Sequence, residues 1–155
     1  MDTLIVYDSV FGNTAKIAAA MGTALNAKVL KVSDATPSDI EGISLLIVGS
    51  PTRAFRPTPA TLTFLRSLPN LKGVRIAAFD TRMRITDETP KVLAGMIKLF
   101  GYAAAPIQKG LVKKGGVPAT DPTWFYVSDT EGPLSDGETA RAEQWAKTAA
   151  ADSAR

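Results

Sequence analysis

The chain reads Leu-Ile-Val-Tyr-Asp-Ser-Val-Phe-Gly-Asn-Thr from residue 4 to residue 14, and this stretch decides the fold. A short apolar run ends in a small polar loop. That loop leads directly into apolar residues at helical spacing, which are Ala15, Ile17, Ala18, Met21 and Leu25. One buried face of a helix requires such spacing. The pattern predicts a strand at Thr3–Asp8, followed by a helix at Asn13–Leu25.

The loop between these two elements is suited to an anion. A helix N-terminus has free backbone N–H donors and the positive end of the helix dipole, which together favour a bound phosphate. The side chains of Ser9, Asn13 and Thr14 add hydrogen-bonding groups. Gly12 allows the backbone to approach a ligand closely. The loop Ser9–Thr14 is therefore predicted to be a phosphate site.

Composition narrows the possible chemistry. The chain has 155 residues, enough for one domain with a core, and it contains no His and no Cys. The usual zinc sites, thiol catalysis and Ser-His-Asp catalysis are therefore excluded. A protein with so few catalytic side chains often takes its chemistry from a cofactor.

Charge and hydropathy argue against nucleic acid and membrane partners. The formal charge is +3, the sequence pI is about 9.3, and the basic residues are spread along the chain. No apolar run reaches the roughly 20 residues that span a bilayer, and we expect no signal peptide because the first strand begins almost at once. We expect a cytoplasmic protein, a monomer or weak dimer, that binds neither nucleic acid nor membrane.

Strands and helices alternate along the rest of the chain. Apolar strands are predicted at Lys28–Val32, Ile43–Val48 and Val74–Phe79. A capping residue followed by proline opens a helix at Thr36-Pro37, Thr58-Pro59 and Thr89-Pro90. This alternation is typical of a three-layer, doubly wound α/β fold with a parallel sheet, and we expect one such domain over residues 1–155.

The C-terminal third has a less regular pattern. Ala104–Gln108 and Trp124–Val127 are interpreted as two pieces of the last strand, separated by a turn-rich segment. Ser135 and Glu138 have the spacing of a capping box, which predicts the start of a final helix.

Three loops are expected to meet at one site. They follow the first, third and fourth predicted strands and comprise Ser9–Thr14, Ser50–Arg56 and Asp80–Arg84. In an open parallel sheet the ligand lies outside the carboxyl ends of the strands, where the strand order reverses. The sequence therefore predicts one ligand site that all three loops form.

These motifs resemble those of the flavodoxin family. Tyr7-x-Ser9-x-x-Gly12-x-Thr14, with Ala18 in the following helix, is similar to the family's FMN phosphate-binding signature. Gly49-Ser50-Pro51-Thr52 resembles the start of its second flavin loop. Glu131-Gly132-Pro133-Leu134 resembles a motif of one branch of the family. The likeness covers essentially the whole chain in the same order of elements.

The resemblance implies a five-stranded parallel sheet with strand order 2-1-3-4-5 and non-covalently bound FMN. The phosphate would be held by Ser9, Val10, Phe11, Gly12, Asn13 and Thr14. One side of the isoalloxazine ring would be lined by Pro51, Thr52, Arg53, Ala54 and Phe55. Near its other side, or its pyrimidine edge, would lie Thr81, Arg82 and Met83, and Asp80 is a further candidate.

The chain departs from the family pattern at the predicted flavin site. Phe11 stands where flavodoxins usually have a hydroxyl residue, and neither flavin loop offers the expected Trp or Tyr. Stacking on the ring would then come from Phe55, from the guanidinium plane of Arg53, or from a partner subunit. Typical flavodoxins are acidic, whereas this chain is basic. We therefore expect a less negative potential for the second electron taken up by the flavin.

Three functions remain open from the sequence. The first is an FMN-binding electron carrier, in which no residue is catalytic and the partner is a redox protein with an acidic docking surface. The second is an FMN-dependent reductase that takes hydride from NAD(P)H or a deazaflavin and reduces quinones or similar small molecules. The third is a degenerate domain that binds another phosphate ligand or only a protein partner.

Overall fold

A parallel sheet forms the centre of the structure, a computed structural model in which residues 2–151 are described. The strands are β1 (Thr3–Tyr7), β2 (Lys28–Lys31), β3 (Leu45–Pro51), β4 (Arg75–Met83), β5 (Val117–Pro118) and β6 (Thr123–Val127). The helices are α1 (Asn13–Leu25), α2 (Pro37–Ile40), α3 (Pro59–Ser67), α4 (Lys91–Phe100), α5 (Ala104–Lys113) and α6 (Glu138–Ala151).

The strand order is β2-β1-β3-β4-β5, and all pairs are parallel. This confirms the predicted doubly wound order 2-1-3-4-5. The fifth position is shared by two short strands, since β5 pairs with Arg75 and Ile76 of β4 while β6 pairs with Phe79–Met83 of the same strand. Of the two segments predicted to form the last strand, only Trp124–Val127 belongs to it, and the other piece is Val117–Pro118.

The assignment of Ala104–Gln108 to a strand is wrong. These residues form the first half of α5. Ala104, Ile107 and Leu111 are all buried in that helix, at the spacing of one helical face. The chain thus returns to the sheet through a helix, as parallel pairing of β4 with β5 requires.

Apolar residues pack on both faces of the sheet, which gives three layers. The core on one face joins the sheet to α3 and α5 through Phe64, Leu65, Ile107 and Leu111. The core on the other face joins it to α1 and α6 through Ile17, Met21, Ala142 and Ala146. No residue of α4 that the structure describes belongs to either core.

The predicted capping box at Ser135 and Glu138 is not formed. The Glu138 carboxylate instead accepts a hydrogen bond from the Tyr126 backbone N–H at 2.6 Å and pairs with Arg141 at 2.8 Å. These contacts connect the start of α6 to β6. No helix within residues 2–151 is long and apolar enough to cross a bilayer.

Candidate functional site

A cavity of about 310 Å³ opens at the carboxyl ends of β1, β3 and β4. Parallel strands end at the same edge of a sheet, so the three loops that follow them meet there. The cavity is lined by Ser9, Val10, Phe11, Asn13, Thr14, Pro51, Thr52, Arg53, Ala54, Thr81, Arg82, Met83, Val127 and Thr130. We call this space the central cavity.

The conformation of the loop at the N-terminus of α1 is stabilised by the side chain of Ser9. Ser9 Oγ accepts hydrogen bonds from the N–H of Gly12 at 3.0 Å and of Ala15 at 3.4 Å. Gly12 has φ 94° at the residue before the helix, a conformation that L side chains rarely adopt. The N-cap residue is this glycine, which has no side chain to cap the helix itself.

Several backbone donors of this loop are left for a ligand. Within residues 2–151, the N–H groups of Val10, Phe11, Asn13 and Thr14 have no acceptor. All four residues line the central cavity. Free N–H groups at a helix N-terminus are the usual donors to a phosphate. The residues present therefore fit a phosphate group at this end of the cavity.

Two buried side chains connect this loop to the others. Thr14 Oγ1 lies 2.9 Å from Thr81 Oγ1 at the end of β4. Asn13 Nδ2 donates to the Glu131 carbonyl at 3.1 Å. A Cβ built on Gly132 would lie 2.6 Å from Asn13 Oδ1, so glycine is needed for this close approach. The segment before α6 is in this way attached to the predicted phosphate loop.

The second loop is anchored at both of its ends. The Thr58 hydroxyl donates to the buried Asp8 carboxylate, and its oxygen accepts from the Thr61 N–H at the start of α3. Ser50 Oγ accepts from the Thr58 N–H at 3.1 Å and donates to the Pro51 carbonyl at 2.9 Å. The loop is therefore fixed to β1, β3 and α3 at once.

The tip of this loop is a tight turn. Arg53 and Arg56 exchange both backbone hydrogen bonds, at 2.8 and 3.0 Å. Ala54 and Phe55 between them have φ of 48° and 67°. A non-glycine residue in this region costs about 1–3 kcal/mol, and such residues cluster at functional sites. The turn places Arg53 and Ala54 in the central cavity and leaves Phe55 outside it.

The third predicted loop continues as strand, because β4 extends to Met83. Arg82 forms a bidentate pair with Asp80, at 2.8 and 2.6 Å. The Arg82 guanidinium lies 3.5 Å from the ring centre of Tyr102 and 4.6 Å from that of Trp124. Asp80 also accepts the Ala104 N–H at 2.9 Å, at the start of α5.

Asp80 does not line the central cavity, because its carboxylate is fully buried in this pair. Burial raises the pKa of Asp80, while the hydrogen bond from Arg82 acts in the opposite direction. Burial likewise raises the pKa of the Tyr102 phenol. Asp80 therefore positions Arg82, and only Arg82 reaches the cavity wall.

Two of the other arginines at this end of the sheet, Arg53 and Arg84, lie against aromatic rings. The Arg53 guanidinium lies 5.4 Å from the ring centre of Phe11, and that of Arg84 lies 4.0 Å from the ring centre of Tyr126. Neither arginine forms an ion pair with a residue in the range 2–151. The Arg84 charge helps to lower the pKa of the Glu138 carboxyl.

A second, larger space of about 650 Å³ lies next to the central cavity. Both spaces are lined by Thr52, Ala54, Arg82, Met83 and Val127. The second space also reaches Phe55, Arg84 and the residues Leu93 and Ile97 of α4. We call it the α4 groove.

The structure brings most of the sequence-predicted site residues to one place. Those that do not line the central cavity are Gly12, Phe55 and Asp80. Sequence reasoning missed Val127, the last residue of β6, and Thr130 in the segment after it, which both line the cavity. The nearby Glu-Gly-Pro-Leu motif, which begins at residue 131, was the available signal for that segment.

Fold and site together define a doubly wound α/β protein with a loop of unpaired backbone N–H groups at the strand-order switch point. A family model described as a flavodoxin domain matches residues 4–119. The chain belongs to the flavodoxin family.

Solved structures of similar fold come from several organisms. A flavodoxin from the domain Archaea shares 18% identity with a TM-score of 0.76, and the match covers 100% of both chains. Oxidised flavodoxin 1 from Bacillus cereus shares 16% identity with a TM-score of 0.73, over 97% of this chain and 98% of that one. Two-electron reduced Megasphaera elsdenii flavodoxin shares 17% identity with a TM-score of 0.69, over 96% and 98%. No curated protein sequence matches the chain.

Proposed function

We propose that this protein binds FMN in the central cavity and transfers electrons as a flavodoxin. The observation that carries the proposal is the set of four unpaired N–H groups at the N-terminus of α1, which open into a cavity bordered by both other loops. Membership of the flavodoxin family supports FMN as the ligand. FMN supplies one- and two-electron redox chemistry when bound.

Each part of the chain has a proposed role toward this ligand. The phosphate is proposed to be bound by Ser9, Val10, Phe11, Gly12, Asn13 and Thr14. The flavin is proposed to lie against Pro51, Thr52, Arg53, Ala54, Phe55, Thr81 and Arg82. Asp80 acts through Arg82, which it holds in place between two aromatic rings.

The unpaired arginines affect both the cofactor and the partner. A positive charge near the flavin stabilises an anion there, so Arg53 favours reduction. Arg53 and Arg84 also make this edge of the protein basic. We propose a redox partner with an acidic docking surface, whose association rate falls as salt is raised.

A second candidate function is an FMN-dependent reductase of small molecules. The α4 groove favours it, since its volume of about 650 Å³ lies in the range of small-molecule sites and it adjoins the central cavity. An electron donor or acceptor bound there would contact the flavin site directly.

Steady-state and rapid-mixing kinetics separate the two functions. A carrier exchanges electrons quickly with a flavodoxin reductase and reacts slowly with NADPH plus a quinone. A reductase turns over NAD(P)H and quinone on its own. Rapid, salt-sensitive exchange with the reductase is the expected result, and direct turnover without a partner protein would contradict the carrier.

A further inference from the structure

We propose that the outward side of α4 and α5 binds the surface of an anionic lipid bilayer. We call this surface the basic face, and its exposed residues are Lys91, Val92, Met96, Lys98 and Leu99 of α4 and Lys109, Val112 and Lys113 of α5. None of these residues lines the central cavity or the α4 groove. The basic face is therefore a surface separate from the proposed FMN site.

The charge of the chain is distributed unevenly along the sequence. Residues 42–120 contain 12 of the 18 basic residues but only 3 of the 15 acidic ones, so this segment has a net charge of +9 and the rest of the chain has −6. Residues 89–120, which include α4 and α5, contain five lysines and no Asp or Glu. The overall charge of +3 conceals this basic segment, so the expectation of no membrane partner does not hold for it.

The lysines of the basic face lack a counter-charge. Lys109 and Lys113 are four residues apart on α5, where two like charges lie side by side and disfavour the helix. Neither these two nor Lys91 and Lys98 form an ion pair with any residue in the range 2–151. Such a group of cations produces a positive potential that an anionic lipid surface would neutralise.

Helix α4 places apolar side chains beside these lysines. Val92, Met96 and Leu99 have the i, i+4, i+7 spacing of one helical face, and Val92 and Leu99 are each 77% exposed. Only residues 101–103 separate α4 from α5, so the two helices are neighbours at the surface. An amphipathic helix with lysines next to an exposed apolar face is suited to the interface of a bilayer.

The residue types of the basic face favour lipid over a protein or a nucleic acid. Its charged side chains are all lysine, and no described residue of α4 or α5 that is exposed is an arginine or an aromatic residue. Protein interfaces are enriched in arginine and aromatic residues and depleted of lysine, and many nucleic-acid sites stack bases on aromatic rings. At a bilayer, by contrast, lysine side chains extend to the headgroups while the aliphatic side chains beside them enter the acyl layer.

Both features of the basic face are needed for attachment. Stable binding of a protein to a bilayer usually takes two signals, such as an apolar anchor and a polybasic patch. The apolar stripe of α4 is the first signal and the lysines of α4 and α5 are the second. Binding should therefore require anionic lipid and also respond to loss of the apolar side chains.

Sedimentation with large vesicles, in the presence of excess FMN, tests the role of charge. The protein should bind saturably to vesicles of phosphatidylglycerol and phosphatidylcholine, not to phosphatidylcholine alone, and binding should weaken as salt is raised. Lys109→Gln combined with Lys113→Gln should weaken binding about fivefold for each lysine. Lys31→Gln combined with Lys147→Gln removes the same charge from exposed lysines elsewhere and should leave binding unchanged.

A second set of variants tests the apolar contact. Val92→Ser combined with Leu99→Ser should weaken binding several-fold, whereas Val117→Ser, on β5 at the opposite end of the sheet, should not. Because the chain contains no cysteine, Leu99→Cys can be labelled alone with an environment-sensitive fluorophore. Its emission should shift to the blue on the anionic vesicles, and that of a label on Val117→Cys should not.

Several results would overturn the proposal. These are no binding that depends on phosphatidylglycerol, equal losses for the two lysine pairs, or an unshifted Leu99 label on bound protein. A lipid-free dimer that Val92→Ser with Leu99→Ser dissociates would identify a second copy of the chain as the occupant instead. Failure of FMN binding would refute the proposed function but leave these expectations unchanged, because the basic face does not line the central cavity.

Discussion

Arg82 and Asp80, two residues apart on β4, form a bidentate ion pair with nitrogen–oxygen distances of 2.8 and 2.6 Å. Residues two apart on a strand share a face, so the pairing follows from the strand itself. The pair also reaches the start of α5, through the Ala104 N–H that Asp80 accepts. The pair therefore connects Arg82, which lines the central cavity, to the start of α5.

Asp80→Asn is expected to lower the free energy of unfolding by about 3 kcal/mol, because it leaves a largely buried guanidinium without its counter-charge. Chemical denaturation measures this loss. The double variant Asp80→Asn with Arg82→Met should recover part of it, since both charges are then removed. A double variant less stable than Asp80→Asn alone would contradict this role for the pair.

The ionisation of Glu138 is expected to make the free energy of unfolding depend on pH. The hydrogen bond from Arg141 lowers the pKa of Glu138 below its usual 4.5. A carboxyl whose pKa is lowered by folding adds stability above its unfolded pKa and loses it as the pH falls through the folded pKa. Stability should therefore fall as the pH is lowered from about 4.5.

The variant Glu138→Gln separates this carboxyl from the others. It should lose about 1–3 kcal/mol at pH 7 and show a smaller loss of stability on acidification than the unsubstituted protein. Glu143→Gln on the same helix is the charge-matched control and should behave like the unsubstituted protein. Identical acid profiles for all three proteins would exclude Glu138 as the titrating group.

Asn13→Ala is expected to weaken FMN binding about fivefold, the equivalent of one hydrogen bond. The variant releases the segment after β6 from the predicted phosphate loop, because Asn13 Nδ2 no longer holds the Glu131 carbonyl. Quenching of FMN fluorescence measures the affinity. Asn70→Ala, at the opposite edge of the sheet, is the control and should leave the affinity unchanged. An Asn13→Ala protein with full affinity would separate that segment from FMN binding.

Arg53→Gln is expected to make the potential for the second electron more negative. One charge roughly 8 Å from an anionic ring at an effective dielectric near 20 contributes about 2 kcal/mol, or about 90 mV, before screening. Because Arg53 is exposed, solvent reduces this to a few tens of millivolts. Spectroelectrochemical titration measures the shift. Lys72→Gln, remote from the cavity, is the control, and equal potentials for all three proteins would exclude a role for Arg53.

Elements of the fold were predictable where the local sequence pattern and the packing of the element on the sheet favour the same secondary structure. The helix Asn13–Leu25 was predicted with the observed bounds, because a loop with glycine precedes it and an apolar face follows. The strand prediction for Ala104–Gln108 failed although the helical spacing of Ala104, Ile107 and Leu111 was present. Residues 104–108 alone also fit a short strand, and the helical face becomes distinct only when Leu111 is included.

The sequence predicted that the three loops would form one site. It did not predict the contacts that the side chains of those loops make with one another. Asp80 and Arg82 were expected to touch the flavin separately, whereas the strand pairs them with each other. The α4 groove was not predicted at all. An amphipathic helix such as α4 suggests core packing from its sequence, and only the position of α5 on the sheet shows that the core place is already filled.

The measurement that tests the account most directly is a titration of the flavin-free protein with FMN and, in parallel, with riboflavin, which lacks the phosphate. The account predicts one-to-one binding of FMN with quenched fluorescence, and riboflavin bound at least tenfold more weakly because the N–H groups at the head of α1 are left unpaired. The absence of saturable FMN binding, or equal affinity for both flavins, would contradict it.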